Sequence, residues 1–352
     1  MNKLFRFSVF MVAATLFFSC GQKGADAPDV SGIQVDLKTY RFDHDIYAID
    51  TNHLSAALPV LKSKYPDFLD FFLDTMMGFN IRGNYNDTVS GVREGFHELV
   101  AYKDYVQLQD TINKYYPDTK DVDEDLTKAF KYMKHYFPTS NAPKVIYINH
   151  ILLNVPVLCV DVNISCICLD MFLGGQFPYY RSIGVPDYLE PHLRKSYIPV
   201  AFFSTLYQST YPYRMDDKTL LERMVMRGKE QYFLHKVMPE LGDSTLFGFT
   251  ATQVDWCSKN EAQIYNFFVQ RNLLYNKEER EIGPYVIDGP FARGIGSATD
   301  PGRPTPGNIG TWLGYKIITA YMAQYPDKSL AELIAEKTEA ASILDQANYR
   351  PK

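Results

Sequence analysis

The sequence predicts a helix-dominated α+β domain, with a small central sheet and helices packed around it. Two observations carry that reading: long stretches repeat apolar residues at helical spacing, and the few strand-like runs cluster in the middle. Residues 33–42 read as a strand or extended segment in which Ile33, Val35 and Leu37 alternate. Leu54 to Met77 is helical, with breaks expected at Pro59 and Pro66. Arg93 to Tyr115 reads as one long helix. Asp121 to Phe137 is another, with Leu126, Phe130, Met133 and Phe137 on one face and acidic residues in its first turn. Lys144 to Asn149 is a strand, and residues 157–171 read as a buried hairpin turning near Asp161-Val162-Asn163. An irregular stretch punctuated by Pro178, Pro186, Pro191 and Pro199 follows. Thr219 to Met238, Glu261 to Leu274 and Trp312 to Tyr325 are helical. Ser329 to Tyr349 opens on a capping box of Ser329 and Glu332. No Gly/Ser/Pro-rich linker divides the chain, so residues 33–352 are expected to form one domain.

The N-terminus carries its own signal. Lys3 and Arg6 precede a largely apolar run, Phe7 to Phe18. That run falls short of the ~20 residues that span a bilayer and suits a signal-peptide core. It ends in Ser19-Cys20-Gly21, a small residue before a cysteine, as at a lipoprotein cleavage site. Residues 1–19 are therefore expected to be removed and Cys20 lipidated, with the small, polar residues to 32 as a flexible tether.

Composition narrows the function classes. Hydrophobic residues make up 46% and charged residues 22%, the balance of a globular protein rather than a disordered or polytopic one. Losing Lys3 and Arg6 leaves 34 basic against 41 acidic residues, a net −7. Such a chain is a poor partner for nucleic acid, and its membrane contact is expected through the lipid alone. Cys159, Cys166, Cys168 and Cys257 read as buried thiols, although an oxidising envelope leaves a cross-strand pairing of Cys159 with Cys166 or Cys168 open.

Intact catalytic motifs are missing from the sequence. No two of the seven histidines are four apart, as a zinc-peptidase helix requires, and His97-Glu98 has only the first half of that motif. Gly294-Ile295-Gly296-Ser297 lacks the second glycine of a nucleophile elbow, because position 299 is Thr. No metal or cofactor is expected. Two features stand out. Residues 289–312 hold six glycines and four prolines, with Arg293 and Arg303, and read either as a lid or partner-binding loop or as a surface connection. Gly228 lies mid-helix, at a cost of ~1 kcal/mol relative to Ala, which implies close packing or space for something. The charged residues flanking it, Glu222, Arg223, Arg227, Lys229 and Glu230, read as a solvent face.

Several short pieces recur in a telling order: Tyr40-Arg41-Phe42-Asp43-His44-Asp45, Leu169-Asp170-Met171-Phe172-Leu173-Gly174 with Phe177-Pro178-Tyr179-Tyr180, Gly228-Lys229 with Tyr232-Phe233, Asn260-Glu261, Gly310-Thr311-Trp312-Leu313-Gly314-Tyr315 and Tyr349-Arg350-Pro351. Through them nearly the whole mature chain resembles the gliding motility lipoprotein B family of the Bacteroidetes. The resemblance implies a cell-envelope lipoprotein tied to gliding and its secretion machinery, lipid-anchored in the outer membrane. Residues 21–29 lack a compact acidic export signal, which favours the periplasmic face. It also implies a zincin-like fold whose metal helix has decayed, with Gly228, Lys229 and Tyr232 at the His, Glu and His positions. On that analogy Lys229, Tyr232 and Glu261, joined by Arg303, fill a degenerate cleft, and the protein binds an envelope protein partner without catalysis. An active metal-dependent hydrolase and a glycan- or peptidoglycan-binding lipoprotein are the alternatives.

Overall fold

The computed structural model describes residues 27–85, 91–296 and 305–351. Its centre is a four-stranded mixed sheet: β1 (Thr39–Arg41), β2 (Lys144–Ile148), β3 (Val157–Cys159) and β4 (Ile164–Cys168), in the order β1-β2-β4-β3. β1, β2 and β4 run parallel, and β3 closes one edge as the antiparallel arm of the hairpin. Every residue of β4 is buried, as expected of a central strand. In the hairpin register Cys159 faces Ser165, whereas Cys166 faces Leu158. Because side chains alternate along a strand, Cys159 points away from the face that carries Cys166 and Cys168, and all four thiols are free.

Among the helices are α1 (Leu54–Lys64), α2 (Val92–Ala101), α3 (Lys103–Tyr115), α4 (Lys120–Tyr136), α5 (Ile198–Thr210), α6 (Leu220–Val237), α7 (Ala251–Lys259), α8 (Glu261–Gln270), α9 (Ile309–Gln324), α10 (Leu330–Ala335) and α11 (Ala340–Gln346). Helices therefore dominate, around a small sheet, and no helix among the described residues is long and apolar enough to cross a membrane. α6 starts at a capping box in which Thr219 Oγ1 accepts from Glu222 N and Glu222 accepts from Thr219 N. The Ser329–Glu332 box starts α10 in the same way.

Three expected elements differ. α1 continues through Pro59, and the break falls at Tyr65-Pro66. The long helix expected over 93–115 is two helices, parted at Tyr102 by an extended backbone (φ −64°, ψ 124°). The cause is the phase of the apolar residues. At about 100° per residue, a straight helix would place Phe96 and Leu99 opposite Leu108 and Ile112. All four are buried, so the chain must turn between them. The last helical stretch also parts, at Glu336 (φ −66°, ψ 130°), whose carbonyl and carboxylate are held by two lysines described below.

Candidate functional site

α6 is the spine of the site. At Gly228 it crosses α9 at Gly314, backbone against backbone. A Cβ added at Gly228 would fall on the Gly314 carbonyl, with Ile318 Cγ1 at 3.0 Å, and one added at Gly314 would fall on the Met224 carbonyl. Small residues at both positions are what lets the helices approach this closely. The glycine signal read from the sequence therefore corresponds to close packing.

The neighbours of Gly228 take separate partners. Lys229, 8% exposed, donates from Nζ to the Glu336 carbonyl at 2.8 Å. Burial lowers its pKa, against the pull of Glu336. Lys328 Nζ (2.5 Å) and Tyr321 OH (2.9 Å) donate to the Glu336 carboxylate, and Lys328 helps hold that group's pKa at about 2 despite burial. Tyr232 is half-buried beside Ala27, Tyr136 and Tyr315, with the Lys236 ammonium 5.3 Å from its ring centre. Glu261, at the start of α8, accepts from Tyr349 OH at 2.7 Å. Arg303 and Cys20 lie outside the described residues. His97 and Glu98 are exposed on α2. Among the described residues no three His, Cys, Asp or Glu side chains group as metal ligands would.

The charges around Gly228 do not form the expected solvent face. Arg223 is 3% and Glu230 2% exposed. α6 is enclosed by α4, α5, α9 and the C-terminal helices, so even its charged side chains need internal partners. Arg223 pairs with Glu279 at 2.6 Å. Glu230 receives four donors: Ser204 Oγ (2.5 Å) and Gln208 Nε2 (2.9 Å) on one oxygen, Tyr213 OH (2.5 Å) and Arg227 Nη1 (3.0 Å) on the other. Both oxygens are thereby satisfied. Burial works against the Arg227 charge, but Glu230 and Tyr213 raise its pKa above the ordinary value.

Beside this hub lies a cavity of about 300 Å³ between α5, α6, the N-terminal end of α9 and the Val286–Asp288 segment. Among the residues that line it, three polar atoms are closed off from solvent and have no hydrogen-bond partner: Arg227 Nε, Gln231 Oε1 and Thr311 Oγ1. At its rim Asp288 accepts from Asn308 Nδ2 at 2.7 Å and lies 3.6 Å from His192 Nδ1. Burial lowers the His192 pKa, only partly opposed by Asp288. None of this was legible in the sequence, because the partners come from four separated segments.

A second polar cluster sits at the carboxyl ends of the parallel strands. Arg41 grips the buried Asp43 through two bonds of 2.8 and 2.7 Å, and Gln109 joins Asp43 to Asn149. Asp170, after β4, accepts the backbone N–H groups of His150 (3.1 Å) and Leu152 (2.7 Å). Those bonds clamp a left-handed turn in which Ile151 (φ 47°) and Leu152 (φ 60°) are strained. Burial raises the Asp170 pKa to about 6, even though the two N–H groups favour its charge.

Comparison with known proteins adds a family. No curated protein and no solved structure matches the chain. The family model of the gliding motility protein GldB matches residues 23–351, which take in the sheet, the α6–α9 crossing and both polar clusters. The chain belongs to the GldB family of gliding motility lipoproteins.

Proposed function

We propose that this protein is a non-catalytic, protein-binding component of the envelope machinery for gliding and its associated secretion, anchored through lipid on Cys20 to the periplasmic face of the outer membrane. The observation that carries the non-catalytic reading is the Gly228–Gly314 crossing. Where the analogy with a metal helix puts the first imidazole, there is no room even for a methyl group. The next position presents an ammonium, committed to the Glu336 carbonyl, where such a site needs a carboxylate base.

The anchor fits the body's geometry. Val30 is buried, so the chain is seated on the body from about there. Seven residues, 20–26, separate that described region from the membrane, and a fully extended chain of that length reaches roughly 25 Å. Ala27 lies beside Tyr136, Tyr232 and Lys236. That side of the molecule therefore stays close to the bilayer, while the rest is presented to partners. The test is a cross-linking map in intact envelopes combined with metal analysis and peptidase assays on the purified mature chain. Reproducible cross-links to envelope proteins without stoichiometric zinc or turnover agree with the proposal; one tightly held zinc per chain with hydrolytic activity overturns it.

A further inference from the structure

Two open depressions adjoin the described start of the chain. Ala27 lines one, of about 690 Å³, with Tyr136, Tyr232, Lys236, Tyr315 and Thr319. Pro28 to Ser31 line the other, of about 630 Å³, against α4. Both sizes suit a small ligand. With lipid on Cys20, both also sit beside a seven-residue tether that reaches roughly 25 Å, so distance does not choose between them.

Charge distinguishes them. A membrane surface that contains anionic phospholipids attracts lysine and repels carboxylate. The second depression sets Asp29, Asp123, Glu124 and Glu240 against Lys120, Lys128 and Lys131, four carboxylates to three ammonium groups. The first has no carboxylate among its lining residues and includes His235 and Lys236. The acidic residues next in sequence to its rim lie elsewhere: Glu240 lines the second depression and pairs with Lys128, and Asp327 lines a third. His235 meets two acceptors, Gln231 O at 2.8 Å and Asp243 Oδ1 at 3.3 Å, so Asp243 balances any charge on that ring. The Lys236 ammonium instead stands 5.3 Å from the Tyr232 ring centre, and nearby Lys316 stands 5.9 Å from that of Tyr315. Among the described residues neither has a carboxylate within ion-pair distance. The rings hold both ammonium groups in place without neutralising them. Tyr136, Tyr232 and Tyr315 are themselves half-buried, each with an apolar body and a polar tip, the kind of side chain favoured at the level of lipid headgroups.

We propose that the groove beside Ala27 seats the headgroup of an anionic phospholipid, with its phosphate at Lys236 and its glycerol region against the tyrosines, and so orients the anchored body on the bilayer. This deepens, and rests on, the Cys20 anchor proposed above. One lysine at a charged surface contributes about fivefold in affinity, too little to hold a free chain but enough to turn one already tethered.

The test is lysine acetylation, read by mass spectrometry, on the full lipidated chain in vesicles of phosphatidylcholine alone or mixed with phosphatidylglycerol. Lys131, in the second depression, is the internal control. Lys236 is expected to be shielded severalfold more than Lys131 in the mixed vesicles, and to lose that shielding at high salt. A Cys20→Ser chain given excess mixed vesicles should show the same preference more weakly. In that chain Lys236→Gln should cut co-sedimentation with the vesicles about fivefold, and Lys131→Gln much less. Equal shielding of Lys236 and Lys131, equal shielding in the two kinds of vesicle, or the same shielding by free glycerol phosphate would each overturn the proposal; the last would assign the groove to a soluble anion. Flotation of the lipidated chain reads the anchor separately. A chain that floats with both kinds of vesicle while Lys236 stays open leaves the anchor standing and sinks the groove. A chain that fails to float, while the Cys20→Ser comparison holds, does the reverse.

Discussion

Replacing Gly228 by alanine puts the α6–α9 crossing to a direct test. Two effects oppose each other. Alanine in a helix interior is favoured over glycine by ~1 kcal/mol. Against that, the new methyl group would land on the Gly314 carbonyl, and backbone atoms of a packed helix cannot turn aside as a side chain can. Overpacking of this sort costs ~1–3 kcal/mol, and contact with backbone places this case toward the upper end. The net expectation is a loss of ~1–2 kcal/mol. Gly314→Ala, whose methyl group would meet the Met224 carbonyl, should lose at least as much. Gly32→Ala is the control: nothing lies within 4 Å of its added Cβ, so the change should be neutral or stabilising by up to ~1 kcal/mol, through a less flexible unfolded chain. Urea unfolding of the three variants, with m-values compared, reads these differences directly. A Gly228→Ala protein as stable as the wild type, or more stable, would refute the close crossing and with it the main support for the non-catalytic reading.

The remaining expectations concern anchor, metal and pH. Cys20→Ser should release the protein from the membrane fraction; retention after a high-salt wash would reveal another anchor. Purified protein should hold no stoichiometric zinc, and a chelator should leave its melting temperature unchanged. Asp170 gives a pH signature. Its pKa in the folded chain, about 6, exceeds the unfolded value of 3.8, so the folded state binds the proton more tightly. Its contribution is therefore greatest below pH ~4 and declines as pH rises through about 6, by up to ~3 kcal/mol in all. Asp170→Asn should flatten that part of the stability–pH profile, whatever its effect on absolute stability; an unchanged slope would contradict the assignment. Glu336, held at about 2, works in the opposite sense and loses its contribution as pH falls from about 4.5 through 2.

Local signals in the sequence proved reliable where one element determines them. The Ser329–Glu332 capping box marks a helix start because its bonds are made within four residues, and the helix expected from Thr219 starts there at a box of the same kind. The apolar stripe of α4 and the hairpin of β3 and β4 are similarly local. What the sequence hid depends on distant contacts. Tyr102 carries no breaker signal; the turn there follows from burying Leu99 and Leu108 in different places. Glu336 leaves the helix because Lys229, 107 positions away, takes its carbonyl. The charges of α6 look like a solvent face until Ser204, Gln208 and Tyr213 arrive from another segment to hold Glu230.

The geometry of α6 also separates a packing face from a face that lines a cavity. Successive residues stand about 100° apart around a helix, so Gly228 and the pair Arg227–Gln231 occupy different faces, roughly 60–100° from one another. The Gly228 face is shut against α9, and no small side chain reopens it without parting the two helices. Arg227 and Gln231, by contrast, line the cavity beside Glu230. Closing the first face holds α6 and the N-terminal end of α9 together, and that same contact brings Thr311 to the cavity that Arg227 and Gln231 line. On this geometry the glycines set the distance between the α6 and α9 walls of the cavity. A side chain at Gly228 or Gly314 should therefore part those walls as well as lower stability, and a crystal structure of Gly228→Ala with the α6–α9 distance unchanged would contradict that coupling.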